Sequence, residues 1–143
     1  MRIVVDTVVF VRALINPYGL WGKLVFGYAD RYDLVVSRPI VSEILEVLQR
    51  SELTRKYRTD QTRTLDSLIT RLTALQTVEL EESIPPISRD PSDDKFLATA
   101  KAADASYVVS EDEDLLTLNE YAGIPIIDGR TFLQLLEQSE DNV

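Results

Sequence analysis

The sequence predicts an α/β protein, a three-layer α/β/α sandwich built around a central, mainly parallel sheet. Its short apolar runs are continuous instead of alternating, as is typical of parallel strands that helices cover on both faces. Segments with helical periodicity lie between these runs, which predicts right-handed crossovers around one sheet. A length of 143 residues, 45% of them hydrophobic, suits a single domain over residues 1–143 with one core.

The strand pattern occurs in short apolar segments spread over the whole chain. The predicted strands, in chain order, are residues 2–6, 34–37, 107–110 and 124–127, with a further short strand near 77–80. The first of them ends directly on Asp6. The four continuous runs are therefore expected to be strands that are covered on both faces.

Helical periodicity fills most of the chain between the strands. The longest predicted helix spans residues 60–76, where Leu65, Leu68 and Leu72 fall on one apolar stripe. Another begins after Ser37, a suitable N-cap, and has Pro39 in its first turn. The other predicted helices begin near Asp93 or occupy residues 20–29, 113–121 and 131–138, and the acidic segment 136–143 is expected to be a frayed tail.

The composition excludes several classes of chemistry. With no histidine and no cysteine, the chain has no imidazole or thiolate zinc site, no Ser-His or Cys-His nucleophile and no disulfide, so any metal must bind through oxygen. A net charge of -9 argues against general binding to polyanions. The longest unbroken apolar run, residues 8–11, is far shorter than the roughly 20 residues of a spanning helix, so we expect a cytoplasmic protein without a membrane segment.

Acidic residues lie where predicted strands end and the following helices begin. Asp6 closes the first strand, and Asp112 follows the strand at residues 107–110 by two positions. Asp93 opens a predicted helix, whereas Glu43 lies about a turn and a half into one. Because the ligand crevice of an open α/β sheet lies beyond the carboxyl ends of its strands, these acids are candidate site residues.

Each acid also has an interpretation that involves no ligand. Asp93 and Asp112 stand where Asp commonly caps a helix, and Glu43 could be an exposed helix residue. Asp6 is harder to explain in this way, because a carboxylate beside an apolar run is costly unless it is hydrogen-bonded or bound to a cation. Taken together, carboxylates gathered at one crevice repel one another, and Mg²⁺ or Mn²⁺ would compensate that repulsion. Such a cation activates a water for attack on a phosphodiester.

The order and spacing of four segments resemble the PIN domain family. These segments are RIVVDTVVF at residues 2–10, the helix with Ser42 and Glu43, RDPSDDKFLA at residues 89–98, and VVSEDEDLL at residues 108–116. The likeness covers residues 2–136 and is greatest to a bacterial branch of toxin components of toxin–antitoxin systems, related to VapC toxins.

This resemblance implies a function, a metal and partners. It implies an endoribonuclease that uses Mg²⁺ or Mn²⁺ and a metal-activated water to hydrolyse RNA, with an antitoxin protein as partner and a homodimer or higher oligomer as a common state. The resemblance also assigns residues: catalytic and metal-binding acids Asp6, Glu43, Asp93 and Asp112, the accessory metal ligand Asp114, and the Thr7 hydroxyl that steadies the site.

Val8 departs from the family pattern, in which an Asn usually follows the Asp-Thr pair. A hydrocarbon there replaces an amide that would hydrogen-bond near Asp6, and the rate or the metal affinity could fall. The alternative function is therefore a weakened or inactive PIN-like interaction module.

A receiver-type phosphoacceptor domain fits less well, since paired acids after the first strand and a lysine after a late strand are missing. Basic residues between Arg50 and Arg63 could hold an RNA backbone or form a solvated turn.

Overall fold

A computed structural model describes residues 1–48, 76–80 and 90–141 of the chain. The strands in these ranges are β1 (Arg2–Val5), β2 (Asp33–Ser37), β3 (Gln76–Val78), β4 (Tyr107–Val109), β5 (Glu120–Tyr121) and β6 (Ile124–Ile127). They form one sheet with the order β3-β2-β1-β4-β6-β5. Every neighbouring pair is parallel except β5 and β6. The mainly parallel α/β sheet confirms the predicted fold class.

Helices connect these strands. They are α1 (Thr7–Ile15), α2 (Leu20–Gly22) with a π-helical turn (Lys23–Gly27), α3 (Arg38–Leu48), a 3₁₀ turn (Pro91–Asp93), α4 (Asp94–Ala103), α5 (Glu113–Leu116) and α6 (Gly129–Asp141). Within the described ranges, no helix combines the length and apolarity that crossing a membrane requires. The helix predicted at residues 60–76 and the basic residues 50–63 lie outside the described residues, except Gln76, which begins β3.

Helix α1 was not among the predicted elements, although its sequence is strongly apolar. The Asp6 carboxylate accepts a hydrogen bond from the Val9 backbone N–H at 3.0 Å and so caps the first turn. Val9, Phe10 and Ala13 are buried, whereas Val8 remains 47% exposed. The cap and the helical spacing of the buried side chains outweigh the strand preference of the β-branched residues.

Two predictions near the C-terminus are corrected by the structure. The helix predicted at residues 113–121 ends at Leu116, because Asn119, Ala122 and Gly123 have φ values of 66°, 52° and 79°, which no helix contains. Residues 120–121 instead form β5, which pairs with β6 in an antiparallel hairpin. Helix α6 continues to Asp141 and buries Leu136, so residues 136–141 are helical where a frayed tail was expected.

The centre of the sheet places the ends of β1 and β4 side by side. From β1 the chain first adds β2 and β3 on one side and then crosses back to add β4 on the other side of β1. This is a topological switch point, where a crevice forms at the carboxyl ends of the strands. Because Val5 pairs with Val109 in the register, Asp6 follows next to Ser110. The two strands therefore deliver their first polar residues to the same place.

Candidate metal centre

Asp6 lies at this crevice as a buried carboxylate that is 3% exposed. One of its oxygens accepts the Val9 N–H, and the other accepts a hydrogen bond from the Ser110 hydroxyl. Burial raises the pKa of Asp6, while the hydrogen bonds from Ser110 and Val9 act in the opposite direction. Both oxygens are thereby held in fixed orientations at the end of β1.

Ser110 joins the ends of the two strands, and it was missed in the choice of site residues from the sequence. It is fully buried, and its Oγ donates to Asp6 Oδ2 while accepting the Asp112 backbone N–H at 2.9 Å. A polar side chain directly after a buried strand was the available signal. Ser110 therefore fixes Asp6 relative to the loop that carries Asp112.

Asp112 does cap a helix, as one interpretation of the sequence held. Its Oδ1 accepts the Asp114 backbone N–H at 2.9 Å at the start of α5. Its charge also repels those of Asp6 and Asp93. Since an ionised carboxylate offers about four lone-pair sites, capping and metal binding are compatible for this residue.

Asp93 does not cap the helix that follows it. The residue is 6% exposed, makes no N-cap hydrogen bond, and has one oxygen, Oδ2, that is buried without a hydrogen-bond partner. Burial raises the pKa of Asp93 to about 7, together with a hydrogen bond to Asp112 and repulsion from Asp112, Asp90 and Asp114. A buried oxygen without a partner, surrounded by like charges, is the environment that a bound cation would relieve.

Three acids at this edge have the spacing of metal ligands. Asp90, Asp93 and Asp114 each offer one oxygen, and these oxygens lie within 4.8 Å of one another. Hard divalent cations bind oxygen at about 2.0–2.6 Å, so oxygens this close need at most small side-chain shifts to share one ion. Sequence reasoning did not select Asp90, which precedes Pro91 and caps the 3₁₀ turn by accepting the Ser92 N–H at 3.0 Å.

Glu43 and Thr7 complete the set of predicted residues. Glu43 lies outside the three-acid group and forms an ion pair with Lys95 at the start of α4. Thr7 follows Asp6, and its Oγ1 is buried without a hydrogen-bond partner. The charge of Asp112 thus acts on both Asp6 and Asp93, and Asp114 lies beside Asp93. Glu43 is held by its ion pair with Lys95.

The raised pKa of Asp93 predicts how the stability of the metal-free protein depends on pH. The pKa of Asp93 is about 7 in the folded protein and 3.8 for an ordinary Asp, so between pH 3.8 and pH 7 the folded state binds more protons than the unfolded state. Stability should therefore fall as pH rises through this window, and Asp93→Asn should flatten the fall. Thermal unfolding in a chelator from pH 4 to pH 8 measures the slope, and an identical slope in the variant would contradict the expectation.

Comparison with known proteins agrees with this fold. The model of the PIN domain family matches residues 2–114, from β1 to Asp114. An uncharacterised protein of Methanocaldococcus jannaschii is 27% identical over 120 residues, which cover 84% of this chain and 76% of that protein.

Solved structures share the fold at low sequence identity. VapBC2 from Rickettsia felis, bound to a DNA fragment from its promoter, matches with a TM-score of 0.60 and 12% identity, covering 90% of this chain and 98% of that chain. A protein from Pyrobaculum aerophilum matches with a TM-score of 0.59 and 18% identity, covering 96% of this chain and 90% of that chain. DNA-bound VapBC from Salmonella typhimurium matches with a TM-score of 0.58 and 14% identity, covering 90% of this chain and 98% of that chain.

The family match begins in the first strand and includes every acid of the candidate metal centre. It thus covers the strand ends, the 3₁₀ turn with Asp93 and the start of α5. The likeness to the solved structures shows the same fold independently. The chain belongs to the PIN domain family.

Proposed function

We propose that the protein is a divalent-metal-dependent endoribonuclease that hydrolyses RNA phosphodiester bonds. The observation that carries this proposal is the buried Asp93 oxygen without a partner, within a group of three acids whose oxygens lie within 4.8 Å. Among the residues that the structure describes, the candidate metal ligands at the crevice are carboxylate or hydroxyl oxygens, which fits Mg²⁺ or Mn²⁺ better than a softer metal. PIN domains are generally nucleases, and the family match agrees with this chemistry.

The proposed roles follow from how each side chain is held. The cation would be held from one side of the crevice by the three-acid group Asp90, Asp93 and Asp114. Asp6 and Asp112, which follow the ends of β1 and β4, would hold it from the other side. A bound divalent cation supplies an acidified water and offsets the negative charge of the phosphate. Asp6, fixed by the Ser110 hydroxyl, would orient the attacking water by accepting its hydrogen bond.

RNA as substrate and an antitoxin as partner are the finer parts of the proposal. Both are supported by the resemblance to VapC-related proteins and by a fold shared with chains of VapBC complexes. Part of the net charge of -9 belongs to the proposed site, where bound cations would offset it. The acidic surface that remains would suit a basic partner protein.

The direct test is cleavage of a mixed pool of single-stranded and structured RNA with Mg²⁺, Mn²⁺ or a chelator. We expect cleavage only with a divalent cation and products that carry a 5′-phosphate and a 3′-hydroxyl. A parallel reaction with single-stranded DNA separates the nuclease proposal from its RNA specificity. Cleavage that persists in the chelator would defeat the metal mechanism, and cleavage of DNA alone would defeat the assignment to RNA.

A second function is an inactive PIN-like interaction module. It is favoured by Val8, which is 47% exposed in the first turn of α1 and offers no amide beside Asp6. Under this alternative, no RNA is cleaved with either cation, and Val8→Asn does not create activity. A native protein that cleaves RNA only slowly and a Val8→Asn variant that cleaves it several-fold faster would instead identify a weakened enzyme.

Ser110→Ala should lower RNA cleavage by about 10- to 100-fold, the usual cost of losing a residue that orients a metal-binding carboxylate. The variant loses the hydroxyl that donates to Asp6 and accepts the Asp112 N–H, so both acids gain freedom. The measurement is kcat/KM at saturating Mn²⁺. Ser106→Ala, an exposed serine just before β4, is the matched control and should behave as the native protein. Equal rates for the two variants would show that Ser110 has no orienting role.

A further inference from the structure

A positively charged side chain, that of Lys95, lies at the edge of the acidic crevice, and the proposed mechanism does not use it. Lys95 lies in the first turn of α4, two residues after Asp93, and its side chain is only 16% exposed. Its ammonium group contacts Glu43 Oε2 on α3 and donates to the Ser92 carbonyl oxygen at 2.5 Å. The lysine therefore ties α3 to the turn that carries Asp93.

This contact differs from an ordinary surface ion pair. Exposed pairs are mobile and contribute little, whereas both side chains here are largely withdrawn from solvent, with 33% exposure for Glu43. The bond to the Ser92 carbonyl oxygen gives the ammonium a second fixed partner and so restricts its position. Phe96 lies alongside, with its ring centre 5.2 Å from the ammonium nitrogen. Lys95 is consequently a pre-positioned group and not a flexible surface charge.

We propose that Lys95 is a positioning residue, which holds the Glu43 carboxylate at the crevice edge and acts on the reaction only through Glu43. The inference rests on the proposed function, because it concerns the same site. Without Lys95, Glu43 would be free to adopt other rotamers away from the reacting groups.

The proposal predicts opposite effects on cation binding and on turnover. Loss of the lysine removes a positive charge beside the acids, so Mn²⁺ should bind as tightly as before or more tightly. Turnover should nevertheless fall by about 10-fold or more, because the carboxylate loses its orientation. Simple damage to the fold would weaken both properties together, which separates positioning from a structural role.

The test is a double-mutant cycle of Lys95→Met, Glu43→Gln and the double variant, with kcat, KM and the Mn²⁺ dissociation constant measured for each. Lys101→Met, an exposed lysine in the last turn of α4, is the control and should match the native protein. We expect the double variant to be no slower than Glu43→Gln alone, and Lys95→Arg to recover part of the lost kcat.

Three results would overturn the proposal, and they can be told apart. If the losses of the two single variants multiply in the double variant, Lys95 acts independently of Glu43. If Lys95→Met loses Mn²⁺ binding along with kcat and Lys95→Arg recovers neither, the lysine is only structural. If the native protein neither binds Mn²⁺ nor cleaves RNA, the proposed function fails first and the positioning role falls with it.

Discussion

Asp93→Asn is expected to reduce RNA cleavage by on the order of 10³-fold, because it removes the buried oxygen around which the acidic group is built. Asn matches the shape of Asp but carries no charge and has only one oxygen, so it binds a divalent cation much more weakly than a carboxylate does. The metal-free variant should remain folded near neutral pH, since the substitution relieves repulsion from Asp112, Asp90 and Asp114.

The measurement is single-turnover cleavage of one RNA that the native protein cuts, with far-UV circular dichroism to verify folding. Asp104→Asn is the matched control. Asp104 is an exposed residue at the other end of α4, about 16 Å from Asp93 at 1.5 Å per helical residue, and its left-handed φ of 51° suits Asn. Full activity of Asp93→Asn, or an equal loss in both variants, would contradict the assigned role of Asp93.

Phe132→Ala should lower the free energy of unfolding by about 3–5 kcal/mol, the range for truncating a buried phenylalanine. Phe132 is 1% exposed on α6, and its ring meets that of Tyr32 edge-on at 5.2 Å between centroids. Helix α6 also begins tightly against the core, since a Cβ on Gly129 would lie 2.1 Å from the Trp21 ring. The helix lies beyond the family match, which ends at residue 114, so this substitution tests whether it belongs to the same folding unit.

Urea unfolding followed by tryptophan fluorescence and circular dichroism gives the free energy for Phe132→Ala. Gln134→Ala, at an exposed position of the same helix, is the control and should change stability by less than about 0.5 kcal/mol. A loss below about 1 kcal/mol for Phe132→Ala, or a separate unfolding step for α6, would show that the helix is not part of the core.

The central strands β1, β2 and β4 could be predicted because burial on both faces leaves a composition that is visible in the sequence. Helix α1 could not be predicted in the same way, since its run of β-branched and aromatic residues at positions 7–11 has that same composition. Its identity as a helix depends on the Asp6 cap and on burial of Val9, Phe10 and Ala13. Strand β5 was missed because two residues carry no periodicity, and positive-φ residues define its hairpin.

In the candidate site, too, some residues could be predicted from the sequence and others could not. Asp6, Asp93 and Asp112 could be selected because fold topology brings strand ends and helix starts to one crevice. The parts played by Ser110, Asp90 and Lys95 depend on three-dimensional contacts that no spacing encodes. Ser110 reaches Asp6 through the register of β1 with β4, and Lys95 reaches Glu43 only because α3 and α4 are adjacent. The position of Glu43 relative to the other acids is therefore a tertiary property.

Divalent-cation binding by the strand-end acids is the central claim, and calorimetric titration with Mn²⁺ tests it most directly. The native protein should bind Mn²⁺ saturably at pH 7.5, and the Asp6→Asn, Asp93→Asn double variant should show no saturable binding, while Asp104→Asn binds as the native protein does. Absence of binding to the native protein, or equal binding to the double variant, would contradict the claim that these carboxylates form a metal centre.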